Sequence, residues 1–331
     1  MTPSEHTWAL ILAAGDGRRL SDLTGSGAGR SVPKQFCSLR GGPSLLHEAV
    51  ARAARVTLPT RISLIVSEAH RAWWQQLDLN VAAEHIVVQP DNRGTAIGIL
   101  LPLLRLLERD PEADIVLLPS DHHVVDEAVL TTALREALAV TQRSPQHVVL
   151  LGMVPDCPDP GLGYIVPAAP DPQGSLGVAE FVEKPPARIA RSLIARGALW
   201  SPFILAAKGR TLLARIEEYL PAVVAAMRSA LGAGATSAGD LAALYERLPT
   251  LDFSHHILTA ATAATLRVLP VPPCGWSDLG TPERLGLTLA RLPLAGEVAG
   301  FPAALRAPIN LAERYYATQG SQGIRRSGTR A

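Results

Sequence analysis

Three observations predict an α/β fold in which a mostly parallel sheet is covered on both faces by helices. Short apolar runs alternate with longer segments of helical periodicity through the first half of the chain. The runs are apolar throughout rather than alternating with polar residues, as befits strands buried on both faces. The chain has 331 residues, 47% of them hydrophobic and 18% charged, enough to bury a sizeable core. Together these describe a Rossmann-like three-layer sandwich with a mixed, mostly parallel sheet.

The first apolar run, Trp8–Ala14, is followed by helical spacing over Ser44–Val56 and a second run, Arg61–Ser67. The βαβ rhythm continues with Ile86–Gln89, a helix over Thr95–Arg109, the run Ile115–Pro119, a helix over Glu127–Gln142 and the run His147–Met153. After Gly152 the texture changes. Pro and Gly punctuate Pro155–Gly177, followed by a strand Val178–Glu183, a helix Ala187–Arg196 and a run Leu199–Ala207. A lobe inserted into the sheet is expected within about 153–265. Ala- and Leu-rich helices fill Arg210–Leu248, a last strand covers Thr265–Val271, and Thr281–Leu292 reads as a closing helix. Residues 293–331 read as an extension whose polar, Gly-rich end from Gln319 is expected to be frayed or disordered. With about forty residues beyond Leu292, neither a large β-helix nor a second enzymatic domain is expected.

A formal net charge of +1 and the lack of a Lys/Arg block argue against nucleic acid or an anionic membrane as partner. Small molecules, or further copies of the chain in a homo-oligomer, are the expected partners. The three cysteines, Cys37, Cys157 and Cys274, form no CxxC pair and no even framework, so a reducing, cytoplasmic compartment is expected. The run Trp8–Ala14 resembles the core of a signal peptide, but no basic residue precedes it and Asp16, Arg18 and Arg19 follow at once. Ile97–Leu107 is interrupted by Pro102 and Arg105 and is too short for a bilayer crossing.

Ligands of such sheets lie beyond the carboxyl ends of the strands. There the first strand runs into Gly15-Asp16-Gly17-Arg18-Arg19, a turn whose glycines let backbone N–H groups close around phosphate oxygens and whose arginines add positive charge. Lys34, in the Pro-fixed turn Pro33-Lys34-Gln35-Phe36, is a second candidate phosphate contact. A tight turn with solvated arginines reads equally well from these residues alone. Asp121 follows the run Ile115–Pro119, and Asp278 follows Thr265–Val271 in a Gly/Trp-rich loop. Each could instead cap a helix or make a turn. The amides of Gln89 and Asn92 can read the edge of a base without distinguishing which base. Asp121-His122-His123 also matches the DHH triplet of manganese phosphoesterases. That chemistry needs further strand-end carboxylates, and the first strand ends in Gly15-Asp16-Gly17 instead.

The combination LAAGDGRRL…PKQF resembles the N-terminal signature of the nucleotide-sugar pyrophosphorylases, in particular the mannose-1-phosphate guanylyltransferase branch. Six further segments are similar to that family in its order: Gln89–Ala96, Pro119–His122, Gly161–Ile165, Phe181–Pro185, Leu199-Trp200 and Gly275–Gly280. The resemblance covers about residues 8–285. It implies nucleotidyl transfer from GTP to a hexose-1-phosphate such as mannose-1-phosphate, with Mg²⁺ as cofactor. Arg19, Lys34 and Asp121 would then be catalytic, and Asp121 and Asp278 the metal ligands. Ala13, Ala14, Gly15, Gly17, Arg18, Gln89, Asn92, Gly94 and Thr95 would bind nucleotide. Gly163, Tyr164, Glu183, Lys184 and Ser201 would bind the sugar phosphate, with Gly163 letting the sugar ring approach the backbone. On this reading residues 1–292 form the catalytic domain. The chain departs from the family at Arg18, where Thr is usual, at Ser21, near a usual Pro, and at Ser201-Pro202, where Asn-Ser is usual. These departures motivate an alternative, a nucleotide-sugar-binding regulatory homologue with weakened catalysis.

Overall fold

The computed structural model describes residues 4–25, 31–170, 176–232, 238–261, 264–292 and 307–327. Ten strands are described: β1 (Thr7–Ala13), β2 (Ile62–Ser67), β3 (Ile86–Gln89), β4 (Asp114–Pro119), β5 (Val148–Met153), β6 (Gly163–Pro170), β7 (Leu176–Val182), β8 (Leu199–Ser201), β9 (Leu205–Lys208) and β10 (Leu266–Val271). Strands β3, β2, β1 and β4 pair in parallel in that order. Beyond them β9 runs antiparallel between β4 and β5, and β10 pairs in parallel with β5. A smaller antiparallel leaf, with β6 between β7 and β8, joins this sheet where Trp200 meets Met153 and Gly177 meets Arg267.

Helices α1 (Ser21–Thr24), α2 (Leu45–Ala53), α3 (Arg71–Trp74), α4 (Gly94–Arg109), α5 (Glu127–Arg143), α6 (Ala187–Ala195), α7 (Gly209–Tyr219), α8 (Pro221–Gly232), α9 (Ala238–Arg247), α10 (Pro282–Arg291) and α11 (Leu311–Ser327) cover both faces. Side chains of β1 alternate between the two resulting cores, as the period of two requires. Ala9, Ile11 and Ala13 pack with α2, α5 and α10, whereas Trp8 and Leu10 pack with α4, α7 and α8. This is the predicted three-layer sandwich. Every residue of β2, β4 and β5 is buried, which explains why these strands read as mostly apolar runs.

The second half differs from its sequence reading in three places. Strand β6 lies within the segment expected to be only turn-rich, because pairing with β7 tolerates its prolines through register shifts at Val166/Pro167 and Pro167/Pro170. The run Leu199–Ala207 is two strands, broken at Pro202-Phe203, where Phe203 takes a positive φ of 56°. The second of these, β9, enters the main sheet, so of the stretch 153–265 it is β6 to β8 that form the leaf, while β9 and α7 to α9 belong to the central sandwich. The third difference is α11, which continues as helix through residues 319–327. Its first turn is fixed by Leu311 and Ala312, whose N–H groups donate to the carbonyls of Ser38 and Leu39, and growth from an anchored turn is cheap. Among the described residues no helix is long and apolar enough to cross a membrane.

Candidate active site

The carboxyl ends of β1 and β4 open into a cleft of about 280 Å³, closed on the far side by the leaf β6 to β8. Gly17 and Arg19 line it from the turn after β1. Gly17 has φ +64°, and a Cβ there would lie 2.8 Å from the backbone N of Lys34, so glycine alone lets the two turns touch. Gln35 holds the turn from beneath, its Nε2 donating to the carbonyls of Ala13 and Gly15 at 3.0 and 2.8 Å. Ala13 and Ala14 are buried beneath the turn, where they offer backbone rather than side-chain contacts. Gly15 is exposed, and a Cβ on it would meet nothing within 4 Å. The backbone of Arg18 lies in the short 3₁₀ turn Arg18–Leu20, while its side chain is outside the described residues.

Lys34 is buried in the 3₁₀ turn Lys34–Phe36 behind Pro33. Its Nζ lies 3.0 Å from Oδ2 of Asp121 and donates to the main-chain carbonyl of Asp278, joining the two acids singled out from the sequence. Asp121 stands just past β4, where the Ser120 hydroxyl donates to the Leu12 carbonyl (2.6 Å) and ties the end of β4 to β1. Burial alone would push the Asp121 carboxyl up. The charge and hydrogen bond of Lys34, together with His122 and Arg19, outweigh it and hold the group below the ordinary aspartate range.

Asp278 sits in the loop 275–280, with Oδ1 2.7 Å from Nε of Arg284 and Oδ2 4.0 Å from Arg19. Leu279 takes φ +47°, and a Cβ on Gly280 would collide with the Asp278 carboxylate. His122 accepts from Nε1 of Trp276 (3.3 Å), and burial lowers its pKa to about 4, so its imidazole is neutral at pH 7. His123 pairs with Glu48 (3.1 Å), and its backbone forms a bridge with Ser277. Both histidines therefore brace the loop. Among the described residues no group of three or more His, Cys, Asp or Glu side chains is arranged to hold a metal, as a phosphoesterase of the DHH kind would need. Asp121 and Asp278 do lie together at the cleft. Their hard oxygens fit Mg²⁺, which takes few protein ligands and completes its shell with phosphate and water.

On the opposite wall Gly163 begins β6 and pairs with Ser201 at the end of β8. Glu183 and Lys184 follow β7; Lys184 takes φ +46°, and its Nζ donates to Oε1 of Glu183 (2.5 Å). A Cβ on Gly163 would lie 2.8 Å from Oε2 of Glu183. The missing side chain thus makes room for the Glu183 carboxylate. Glu183, Lys184 and Ser201 line the cleft with Gly163.

Four expected contacts are placed differently. Tyr164 is fully buried, its hydroxyl donating to the carbonyl of Asp159 and accepting from its N–H, so it braces the loop before β6. Gln89 is 1% exposed and does not present its amide to the cleft. The side chain of Asn92 accepts from the N–H of Gly94 and so shapes the entry to α4. Gly94, at φ +83°, passes beneath Leu251, whose backbone would block any Cβ. Thr95 does line the cleft, accepting from the N–H of Phe253 at 2.7 Å. Three residues at or beside the cleft escape a reading of the sequence. Asp252 and Ser254 reach the cleft from the segment packed over α4 but stand in no motif. Arg284 reads as an ordinary basic residue on an amphipathic helix.

A glycine turn, clustered cations and two acids at the ends of parallel strands define a phosphate-handling α/β protein. The chain belongs to the nucleotidyl transferase family, whose profile it matches over residues 8–288. It is 28% identical over 286 residues to a mannose-1-phosphate guanylyltransferase of Escherichia coli (strain K12), covering 83% of this chain and 58% of that protein. It is 30% identical over 276 residues to the xanthan biosynthesis protein XanB of Xanthomonas campestris pv. campestris (strain B100), covering 82% and 57%. The chain thus spans a little over half the length of these relatives. A solved structure titled mannose-1-phosphate geranyltransferase, from Thermus thermophilus, superposes with a TM-score of 0.73 at 27% identity, covering 87% of this chain and 80% of that one. UDP-glucose pyrophosphorylase with bound UDP-glucose shares the fold, with a TM-score of 0.55 at 14% identity over 86% of this chain and 97% of that one.

Proposed function

We propose that the chain transfers a nucleotidyl group from GTP to mannose-1-phosphate, giving GDP-mannose and pyrophosphate. The observation that carries this reading is one cleft lined by the Gly17/Arg19 turn, Asp121 and the Glu183-Lys184 strand end, with Lys34 paired to Asp121 behind the lining. The E. coli relative's name supplies the choice of base and sugar.

The attacking oxygen belongs to a phosphate already anionic near pH 7, so no general base is needed. The residues have to hold two highly charged partners in line and to balance charge as it moves to the departing pyrophosphate. Arg19, half-exposed at the cleft, and Lys34 hold the triphosphate. Glu183 accepts from sugar hydroxyls, and Lys184 holds the sugar phosphate. Asp121 and Asp278 hold Mg²⁺, which neutralises phosphate charge when bound. The free cysteines, Cys37, Cys157 and Cys274, accord with work in a reducing cytoplasm.

A panel crossing four nucleoside triphosphates with several hexose-1-phosphates, read by pyrophosphate release, tests the reading. Highest kcat/KM with GTP and mannose-1-phosphate is expected. Preference for another pair would reassign the substrates within the same chemistry, and no turnover with any pair would favour the regulatory homologue.

A further inference from the structure

We propose that Arg284 is the positioning residue that fixes Asp278 and holds the two walls of the cleft in register; this rests on the metal role of Asp278 proposed above. Arg284 is nearly buried, with 13% of its side chain exposed, in the first turn of α10, where its own N–H donates to the capping hydroxyl of Thr281. From there the guanidinium meets three separate segments. Its Nε lies 2.7 Å from Oδ1 of Asp278 in the 275–280 loop. Its Nη1 donates to Oδ2 of Asp159 at 3.0 Å, in the loop that leads to Gly163. Its Cζ sits 4.7 Å above the ring of Trp200, next to Ser201, and 6.0 Å from the ring of Trp276.

One planar cation thus joins the metal-side loop to the loop before β6 and to β8 on the sugar side. Lysine replaces only its charge, because an ammonium is a point charge with neither a planar fork nor a face to stack. The position needs a charge as well as a shape. The Asp278 side chain is only 6% exposed, and its other cation, Arg19, stands at 4.0 Å and is itself mostly exposed. Loss of Arg284 leaves a buried carboxylate without its nearest counter-charge and free to turn from the cleft.

The test compares Arg284→Met, Arg284→Lys and Asp159→Asn with the unaltered chain, with folding checked by circular dichroism. Mn²⁺ binding in the presence of GTP, without sugar phosphate, is read by electron paramagnetic resonance and needs no turnover. Arg284→Met is expected to weaken Mn²⁺ binding by about 10-fold to 100-fold, the usual cost of losing a residue that orients a ligand. Steady-state rates should show kcat falling more than the KM for GTP rises. Arg284→Lys should recover part of the loss, and Asp159→Asn, which leaves the Asp278 contact in place, should lose less than Arg284→Met. A folded Arg284→Met variant with unchanged Mn²⁺ binding and unchanged kcat would overturn the role of Arg284 and leave the proposed reaction standing. Failure of the unaltered chain to bind Mn²⁺ with GTP would instead remove the metal role of Asp278, and the claim about Arg284 with it.

Discussion

Nζ of Lys34 lies 3.0 Å from Oδ2 of Asp121 and also donates to the main-chain carbonyl of Asp278, so a single buried cation ties together the two acids of the cleft. Lys34→Met removes that tie and the charge meant for the triphosphate. A fall in kcat of about 100-fold to 1,000-fold is expected, the scale seen when one charge-stabilising donor is lost. Steady-state kinetics on the folded variant check it; kcat within a factor of three of the unaltered chain would remove Lys34 from the chemistry.

The two glycines of the turn after β1 should respond differently to a methyl group. Gly17→Ala forces a side chain onto a positive φ and against the backbone of Lys34, and should lower stability by about 1–3 kcal/mol. Gly15→Ala meets no neighbour, so its stability in urea should match the unaltered chain. If phosphate oxygens do approach this turn, Gly15→Ala will still raise the KM for GTP. An unchanged KM would place the triphosphate elsewhere.

Gly163→Ala should act through Glu183. The new Cβ would displace the carboxylate that lies 2.8 Å away, costing its hydrogen bonds to the sugar. The KM for mannose-1-phosphate should rise about 10-fold to 100-fold, the loss expected when a hydrogen bond to a charged group is broken, with the KM for GTP little changed. Equal effects on both substrates would contradict the division of the cleft into two subsites.

His70 predicts a pH dependence of stability. It is packed against Phe36 and Trp73, and burial pulls its pKa below the ordinary histidine value of 6.5, partly offset by Asp16 at 3.8 Å. The unfolded chain therefore takes up this proton more readily than the folded one. Stability should be unaffected by His70 above about pH 6.5 and should decline as the pH falls below it. Urea unfolding from pH 8 to 5 should show this slope, and His70→Gln should flatten it; an identical slope in the variant would exclude His70 as the source.

The central fold was legible because β2, β4 and β5 are buried on both faces and consist mostly of apolar side chains. The leaf was harder to read. Strand β6 is half-exposed beyond Val166 and contains prolines, so its pairing depends on β7 rather than on its own pattern. Within the site, residues that follow strand ends, such as Asp121 and Glu183, were legible from position. Gln35, although it stands in a recognised motif, acts through its amide on the carbonyls of Ala13 and Gly15, a long-range contact that no spacing encodes. Tyr164 shows the converse, since a motif residue beside Gly163 points into the core because adjacent strand residues face opposite ways.

Nucleotidyl transfer itself can be observed by incubating the chain with GTP, mannose-1-phosphate and Mg²⁺ and following the products by phosphorus NMR. Equal amounts of GDP-mannose and pyrophosphate are expected, with formation lost in Asp121→Asn. Release of inorganic phosphate or GMP without a sugar adduct, or no product from any hexose-1-phosphate, would contradict the proposed reaction.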